Sequence, residues 1–199
     1  MKESRMHRVS VCVYCGSRPG ELAAYADAAR SVGTFIGQHG WQLVYGGGRA
    51  GLMGIVADAA LAAGAPVVGV IPESLMDREL GHGGLTELHV VQTMHQRKMM
   101  MAERSDAFVA LPGGIGTFEE LFEVWSWRQL GYHDKPLGLL NVAGYYDAML
   151  GFLANSRDQG FMSAAQIDLL HVSDDPHALL ARLGAMAPLA TAADDYRRI

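Results

Sequence analysis

The feature that most restricts what this chain can fold into is an alternation. Short, mainly apolar runs recur along it, and all but the third are followed by a longer stretch with apolar residues at helical spacing. After the third comes a looser segment from Pro72 to Gly84 without clear period. Residues 9–14, 41–45, 66–71, 88–91, 107–111 and 137–140 read as strands. Residues 21–38, 52–63, 94–104, 117–129 and 145–157 read as helices, the last of them closing the pattern. Strands without polar alternation are buried on both faces, and strands separated by helices run parallel. The pattern therefore predicts a doubly wound, Rossmann-like α/β fold, a mostly parallel sheet with helices on both faces. Ligands of such sheets sit at the carboxyl ends of the strands.

At 199 residues, half of them apolar and 19% charged, the chain has the material for one well-packed domain, residues 1–199. Residues 1–7 and 190–199 read as frayed tails. A net charge of −5 speaks against a nucleic-acid partner, which calls for a basic face. No apolar run approaches the ~18 residues of a membrane span. The charged first residues have no apolar stretch behind them, so no secretory signal is read, and a cytoplasmic location is expected. Two cysteines give no disulfide framework.

Two strand–turn–helix junctions are rich in glycine. In the first, Gly46, Gly48 and Gly51 satisfy G-x-G-x-x-G, and Glu73 lies 22 residues beyond Gly51. This is the formal dinucleotide fingerprint. It reads equally as a tight turn that needs positive φ. In the second, Pro112-Gly113-Gly114-Ile115-Gly116-Thr117, the proline stops a strand and Thr117 is expected to open a helix. Backbone amides there form a nest for an anion. No lysine follows the last glycine, so this is not a Walker A loop. Phe118, Leu121, Phe122 and Trp125 make the expected apolar stripe of the helix. Thr117, Glu120 and Val124 share another line, which brings the Glu120 carboxylate back toward the loop mouth. Two such loops suit a mononucleotide lying across the crevice between neighbouring strands.

The run from Pro112 to Glu120 matches P-G-G-x-G-T-x-x-E, and Met94-His95-Gln96-Arg97-Lys98 matches M-H-x-R-K. Together with Cys15-Gly16-Ser17, Tyr45-Gly46-Gly47-Gly48, Gly51-Leu52-Met53-Gly54 and Met76-Asp77-Arg78-Glu79-Leu80, these resemble the LONELY GUY (LOG) family of cytokinin riboside 5′-monophosphate phosphoribohydrolases. The resemblance runs from about Val9 to about Met162. It implies hydrolysis of the N-glycosidic bond of a purine riboside 5′-monophosphate, cytokinin-type or AMP, to free base and ribose 5-phosphate, without cofactor or metal. It implies that Glu120 stabilises positive charge on the ribose, as carboxylates do in glycoside hydrolysis. Arg97 is the second catalytic candidate, holding phosphate or ribose oxygens or offsetting charge on the leaving base. By the same resemblance Gly113, Gly114, Ile115, Gly116 and Thr117 hold the 5′-phosphate and Gly46 and Gly47 line the crevice. Ser17, Glu79, Met94, Lys98, Glu119 and Ser126 are the further substrate-binding candidates. Ile115 and Phe118 stand where Tyr and Leu are common in the family, which bears on base preference. A homodimer formed through helices of this kind is also implied.

The family has often carried the label lysine decarboxylase. A pyridoxal enzyme needs a Schiff-base lysine and a phosphate cup in a larger fold, and this chain has only Lys2, Lys98 and Lys135. Cys12 and Cys15 are formally C-x-x-C, yet residues three apart on a strand face opposite ways, and a second pair is missing. The histidines show no metal spacing, and Met94 with Met99-Met100-Met101 reads as helix packing. Two other functions compete. One is a nicotinamide-dependent NAD(P) oxidoreductase, weakened by the second glycine loop and by Met149 standing where a Tyr145-x-x-x-Lys pair needs its lysine. The other is a non-catalytic nucleotide-binding module on the same fold, which gains nothing from a carboxylate beside a phosphate nest.

Overall fold

A computed structural model describes residues 8–76, 81–190 and 194–196. Seven strands form one sheet: β1 (Ser10–Tyr14), β2 (Gln42–Tyr45), β3 (Val67–Pro72), β4 (Glu87–Val91), β5 (Ala107–Ala110), β6 (Leu137–Leu140) and β7 (Leu170–Ser173). Their order is β4-β3-β2-β1-β5-β6-β7, and every neighbouring pair is parallel. The chain builds outward from β1 to β4, then returns to the other side of β1 as β5. That reversal makes the β1/β5 boundary the topological switch point.

The helices are α1 (Ala23–Gln38), α2 (Gly51–Ala62), α3 (Met94–Glu103), α4 (Ile115–Gln129), α5 (Asp147–Asp158), α6 (Ala164–Ile167) and α7 (Pro176–Met186). Alternate residues of the central strands feed two separate cores. Val11, Val13 and Cys15 pack with α1, α2 and α7, through side chains such as Val32, Val56 and Leu183. Cys12 and Tyr14 face the opposite core with Met101 of α3, Leu121 and Trp125 of α4 and Leu153 of α5. The two cysteines thus lie on opposite faces as free thiols. Burial above all pushes Cys12 up to about 12 and raises Cys15 further.

Three expectations change. The pattern does not close at residue 157, because β7 and α7 follow. β7 is an edge strand in which His171 and Ser173 are only partly buried, so its apolar signal is weak. The apolar stripe of α4 is rotated: Leu121, Val124, Trp125 and Trp127 are buried, whereas Phe122 is 38% exposed and stacks on Trp125. The tail expected to fray is docked where it is described. Asp194 pairs with Lys135 at 2.6 Å, and Tyr196 is buried against Trp127 and His133. Residues 1–7 lie outside the described residues.

Candidate active site

A cleft of about 610 Å³ opens at the switch point. Chains leaving β1 and β5 diverge to opposite sides of the sheet, which leaves a crevice above the strand ends. The two loops are nonetheless stitched together. Gly16 N–H donates to Pro112 C=O at 3.1 Å, and Leu52 N–H donates to Gly16 C=O at 3.0 Å. Gly113 makes this approach possible, since a Cβ there would lie 2.1 Å from Thr117 Oγ1 and 2.8 Å from Gly16 N.

α4 begins at Ile115 with Gly114 as its N-cap, two residues earlier than the sequence suggests. Gly114 is extended (φ −98°, ψ −154°) and caps without a side chain. Thr117 is therefore the third residue of the helix, buried and packed on Gly113. Phe118 N–H donates to Gly114 C=O at 3.1 Å, so the amides of Ile115, Gly116 and Thr117 precede the helical ladder. Gly114, Ile115 and Gly116 are exposed and border the cleft. Aligned amides and the positive end of a helix dipole together suit an anion.

Glu120 lies one turn further in and borders the same cleft, with Glu119 beside it. Its charge reaches the end of β1. Burial is the main cause of the raised pKa values of Cys12, Tyr14 and Cys15, and the Glu120 carboxylate adds to all three. Arg97 acts on Cys12 in the opposite direction. An acid and a guanidinium are thus gathered at one strand end.

Arg97 comes from α3, whose start is fixed by a capping box between Thr93 and Gln96. The side chain is 5% exposed. Its Nη2 donates to Gly46 C=O at 3.2 Å, and its Nη1 lies 3.8 Å from Met94 Sδ. A Cβ on Gly46 would stand 2.1 Å from Nη2, so this glycine makes room for the guanidinium. The rest of the first glycine loop is equally occupied by protein. Gly48 bridges to Gly81, and a Cβ on Gly51 would stand 2.4 Å from the backbone N of Arg18. Among the described residues the space around these glycines is filled by protein, which does not favour the dinucleotide reading of this loop.

Of the residues singled out from the sequence, Ser17, Met94, Arg97, Gly113, Gly114, Ile115, Gly116, Thr117, Glu119 and Glu120 all border the cleft. Gly46 and Gly47 do not; both are buried, Gly46 behind Arg97. Lys98 is also set back, bonded to Glu119 at 2.5 Å and to Glu123 at 2.8 Å, and so it joins α3 to α4. Ser126 is exposed on α4, away from the cleft lining. Glu79 lies outside the described residues. Sequence reasoning missed Tyr25 and Tyr145, which meet edge to face across 5.6 Å on the cleft wall. Strand order is the missing signal: Tyr145 follows β6, the neighbour of β5.

Comparison with known proteins gives the family. Residues 53–183 match a family model described as possible lysine decarboxylase. A cytokinin riboside 5′-monophosphate phosphoribohydrolase of Arabidopsis thaliana is 46% identical over 188 residues, covering 94% of this chain and 86% of that protein. A probable one from Oryza sativa subsp. japonica is 47% identical over 186 residues, covering 94% and 74%. The chain belongs to the LOG family. The fold is also that of the molybdenum cofactor binding protein from Rippkaea orientalis (TM-score 0.70, 18% identity, 91% of this chain and 98% of that one). A Moco carrier protein from Chlamydomonas reinhardtii shares it as well (TM-score 0.67, 22% identity, 92% and 99%). The two lysines among the described residues, Lys98 and Lys135, do not suit the decarboxylase description. Burial opposes the charge on Lys98, but hydrogen bonds with Glu119 and Glu123 outweigh it and raise its pKa. Lys135 Nζ donates to Ala102 C=O at 2.9 Å and pairs with Asp194. Schiff-base formation requires a free neutral amine.

Proposed function

We propose that this cleft hydrolyses the N-glycosidic bond of a cytokinin-type riboside 5′-monophosphate or of AMP, giving the free base and ribose 5-phosphate. The observation that carries the reading is a carboxylate, Glu120, one turn inside an anion-accepting helix start, with Arg97 bordering the same cleft. The amides from Gly113 to Thr117 hold the 5′-phosphate. That places the ribose beside Glu120, where positive charge develops as the C1′–N bond opens. Water adds its oxygen to C1′ and its proton is passed on as the base nitrogen gains one. Glu120 stabilises the ribose cation and orients the water, and Arg97 holds substrate oxygens or offsets charge on the leaving base. Ser17, Met94 and Glu119 contact the nucleotide from the cleft walls. Lys98 acts through Glu119.

The chain works as one nucleotide-binding unit that pairs into a homodimer. Apolar side chains exposed on α4 and α5, Phe122 and Phe152, support the pairing, and a sedimentation mass twice that of the chain is expected. We place it in the cytoplasm, acting on a diffusible nucleotide and not on nucleic acid, in keeping with its net charge of −5.

The test offers AMP and isopentenyladenosine 5′-monophosphate side by side and follows base and ribose 5-phosphate by chromatography. Both products are expected in equal amounts, and the ratio of rates reports how the pocket reads the N6 position. Glu120→Gln should lower kcat/KM by about 10³-fold with little change in Tm; an unchanged rate would remove Glu120 from the chemistry. AMP, but not NAD, should raise Tm.

A further inference from the structure

The carbonyls of Leu111, Pro112 and Gly113 are consecutive, and each accepts a hydrogen bond from outside the loop, two from one turn and one from the end of β1. Tyr146 Oη donates to Leu111 C=O at 2.7 Å, Gly16 N–H to Pro112 C=O at 3.1 Å, and Tyr145 Oη to Gly113 C=O at 2.5 Å. A trans peptide is planar, with its C=O and the following N–H pointing opposite ways. Holding a carbonyl therefore fixes the direction of the next amide. The Gly113 bond matters most, because it sets the Gly114 N–H at the mouth of α4. A peptide between two glycines has the fewest steric restraints against flipping.

The turn that delivers the two hydroxyls is itself closely built. Asn141 Oδ1 accepts from Tyr146 N–H at 2.7 Å while its Nδ2 donates to Asp147 at 2.7 Å. Ala143 is the one non-glycine with positive φ among the described residues (+50°), and Gly144 follows it at +71°. A left-handed alanine costs about 1 kcal/mol and persists where surrounding contacts impose it. Tyr146 is 1% exposed, and burial keeps its phenol protonated, hence a donor. Tyr145 is 38% exposed and borders the cleft.

We propose that Tyr145 and Tyr146 are positioning residues that lock the peptide planes of the loop from Leu111 to Gly114, with Tyr145 holding the Gly113–Gly114 plane in its anion-accepting orientation. This rests on the proposed function in one respect: the anion is the 5′-phosphate of the substrate.

Tyr145→Phe removes one oxygen from a half-open position and leaves the ring in place. Titration of the full chain with ribose 5-phosphate and, separately, with adenine is the test. The variant should bind ribose 5-phosphate about tenfold more weakly, with adenine binding unchanged. Its KM for AMP should rise by a similar factor while kcat stays within about twofold, the mark of binding lost equally in ground and transition states. Tyr146→Phe should show the same selectivity with a lower Tm, since it strands a buried carbonyl. Unchanged ribose 5-phosphate binding in Tyr145→Phe, or equal weakening of both ligands, overturns the assignment. A wild-type chain that binds ribose 5-phosphate but releases no base overturns the proposed function alone, because the titration still decides the role of Tyr145.

Discussion

The loops after β2 and β5 look alike in the sequence: a strand, three or more glycines, a helix. In the structure they serve opposite purposes. After β2, a Cβ on Gly46 or Gly51 would strike protein at 2.1 to 2.4 Å, so these glycines exist to let Arg97 and the Ser17–Arg18 backbone come close. After β5, Gly113 is packed in the same way against Thr117 and Gly16, but Gly114 and Gly116 have nothing within 4 Å of an added Cβ, and the space they leave is the cleft. A glycine-rich turn is therefore no sign of a ligand in itself. What matters is whether the vacated volume is filled by the protein or left open.

The sharpest way to break this comparison is Gly46→Ala. The added methyl displaces the Arg97 guanidinium from its carbonyl. Base release should fall by about 10³-fold, equivalent to about 4 kcal/mol. The double variant Gly46→Ala/Arg97→Ala should be no slower than Arg97→Ala alone, because both changes remove the same interaction. Additive losses would mean that the glycine touches substrate after all.

The contrast extends to the two ends of α4. Its start presents open amides, while its far end is closed by the following backbone. Tyr132 N–H donates to Trp127 C=O at 2.9 Å and Gly131 N–H to Arg128 C=O at 3.1 Å, and His133 folds back on the last turns of the helix. His133 Nε2–H donates to Val124 C=O at 2.9 Å, and His133 Nδ1 accepts from Lys135 N–H at 3.1 Å. Burial, with the nearby Lys135 and Arg128 charges, lowers its pKa from 6.5 to about 4. Between these values the unfolded chain holds a proton that the folded chain excludes. Stability should therefore decline as pH falls from 6.5 to 4 and level off below, by on the order of 3 kcal/mol in total. Urea unfolding at several pH values checks this, with His133→Gln expected to flatten the slope. Parallel curves for variant and wild type would assign the acid loss to other groups.

How far the sequence could be read follows from how local each feature is. β1, β2, β3, β5 and β6 are apolar but for Ser10 and Gln42 at the starts of β1 and β2, because both faces are covered, so their runs stood out. Of the two edge strands, β4 kept a readable Val90-Val91 end, whereas β7, with His171 and Ser173 alternating with its apolar residues, did not. Arg97, Glu120 and the loop from Gly113 to Thr117 were legible because motif residues close in the chain supply them. The contact of Arg97 with Gly46 spans 51 positions and depends on how α3 packs against β3, the neighbour of β2. For the same reason Tyr145 was invisible: its reach to Gly113 exists only because β6 lies beside β5. Local chemistry could be read directly, whereas the volume around each glycine required the packed structure.

The smallest effect tests the open loop itself. Gly114 is extended, a conformation alanine shares, and its missing Cβ faces open space. Folding should hardly notice Gly114→Ala: the weaker cap costs a few tenths to about 1 kcal/mol, and the stiffer unfolded chain returns a similar amount. A methyl group at the mouth of α4 nevertheless stands where the phosphate must approach the amides. KM for AMP should rise about tenfold, about 1.4 kcal/mol, with kcat nearly unchanged and Tm within about 2 °C. The same methyl group thus has opposite consequences in the two loops. At Gly46 it costs the chemistry by pushing aside a side chain, and at Gly114 it costs only binding. If Gly114→Ala left KM untouched, the anion would have to be held elsewhere, and the difference between the two loops would lose its functional meaning.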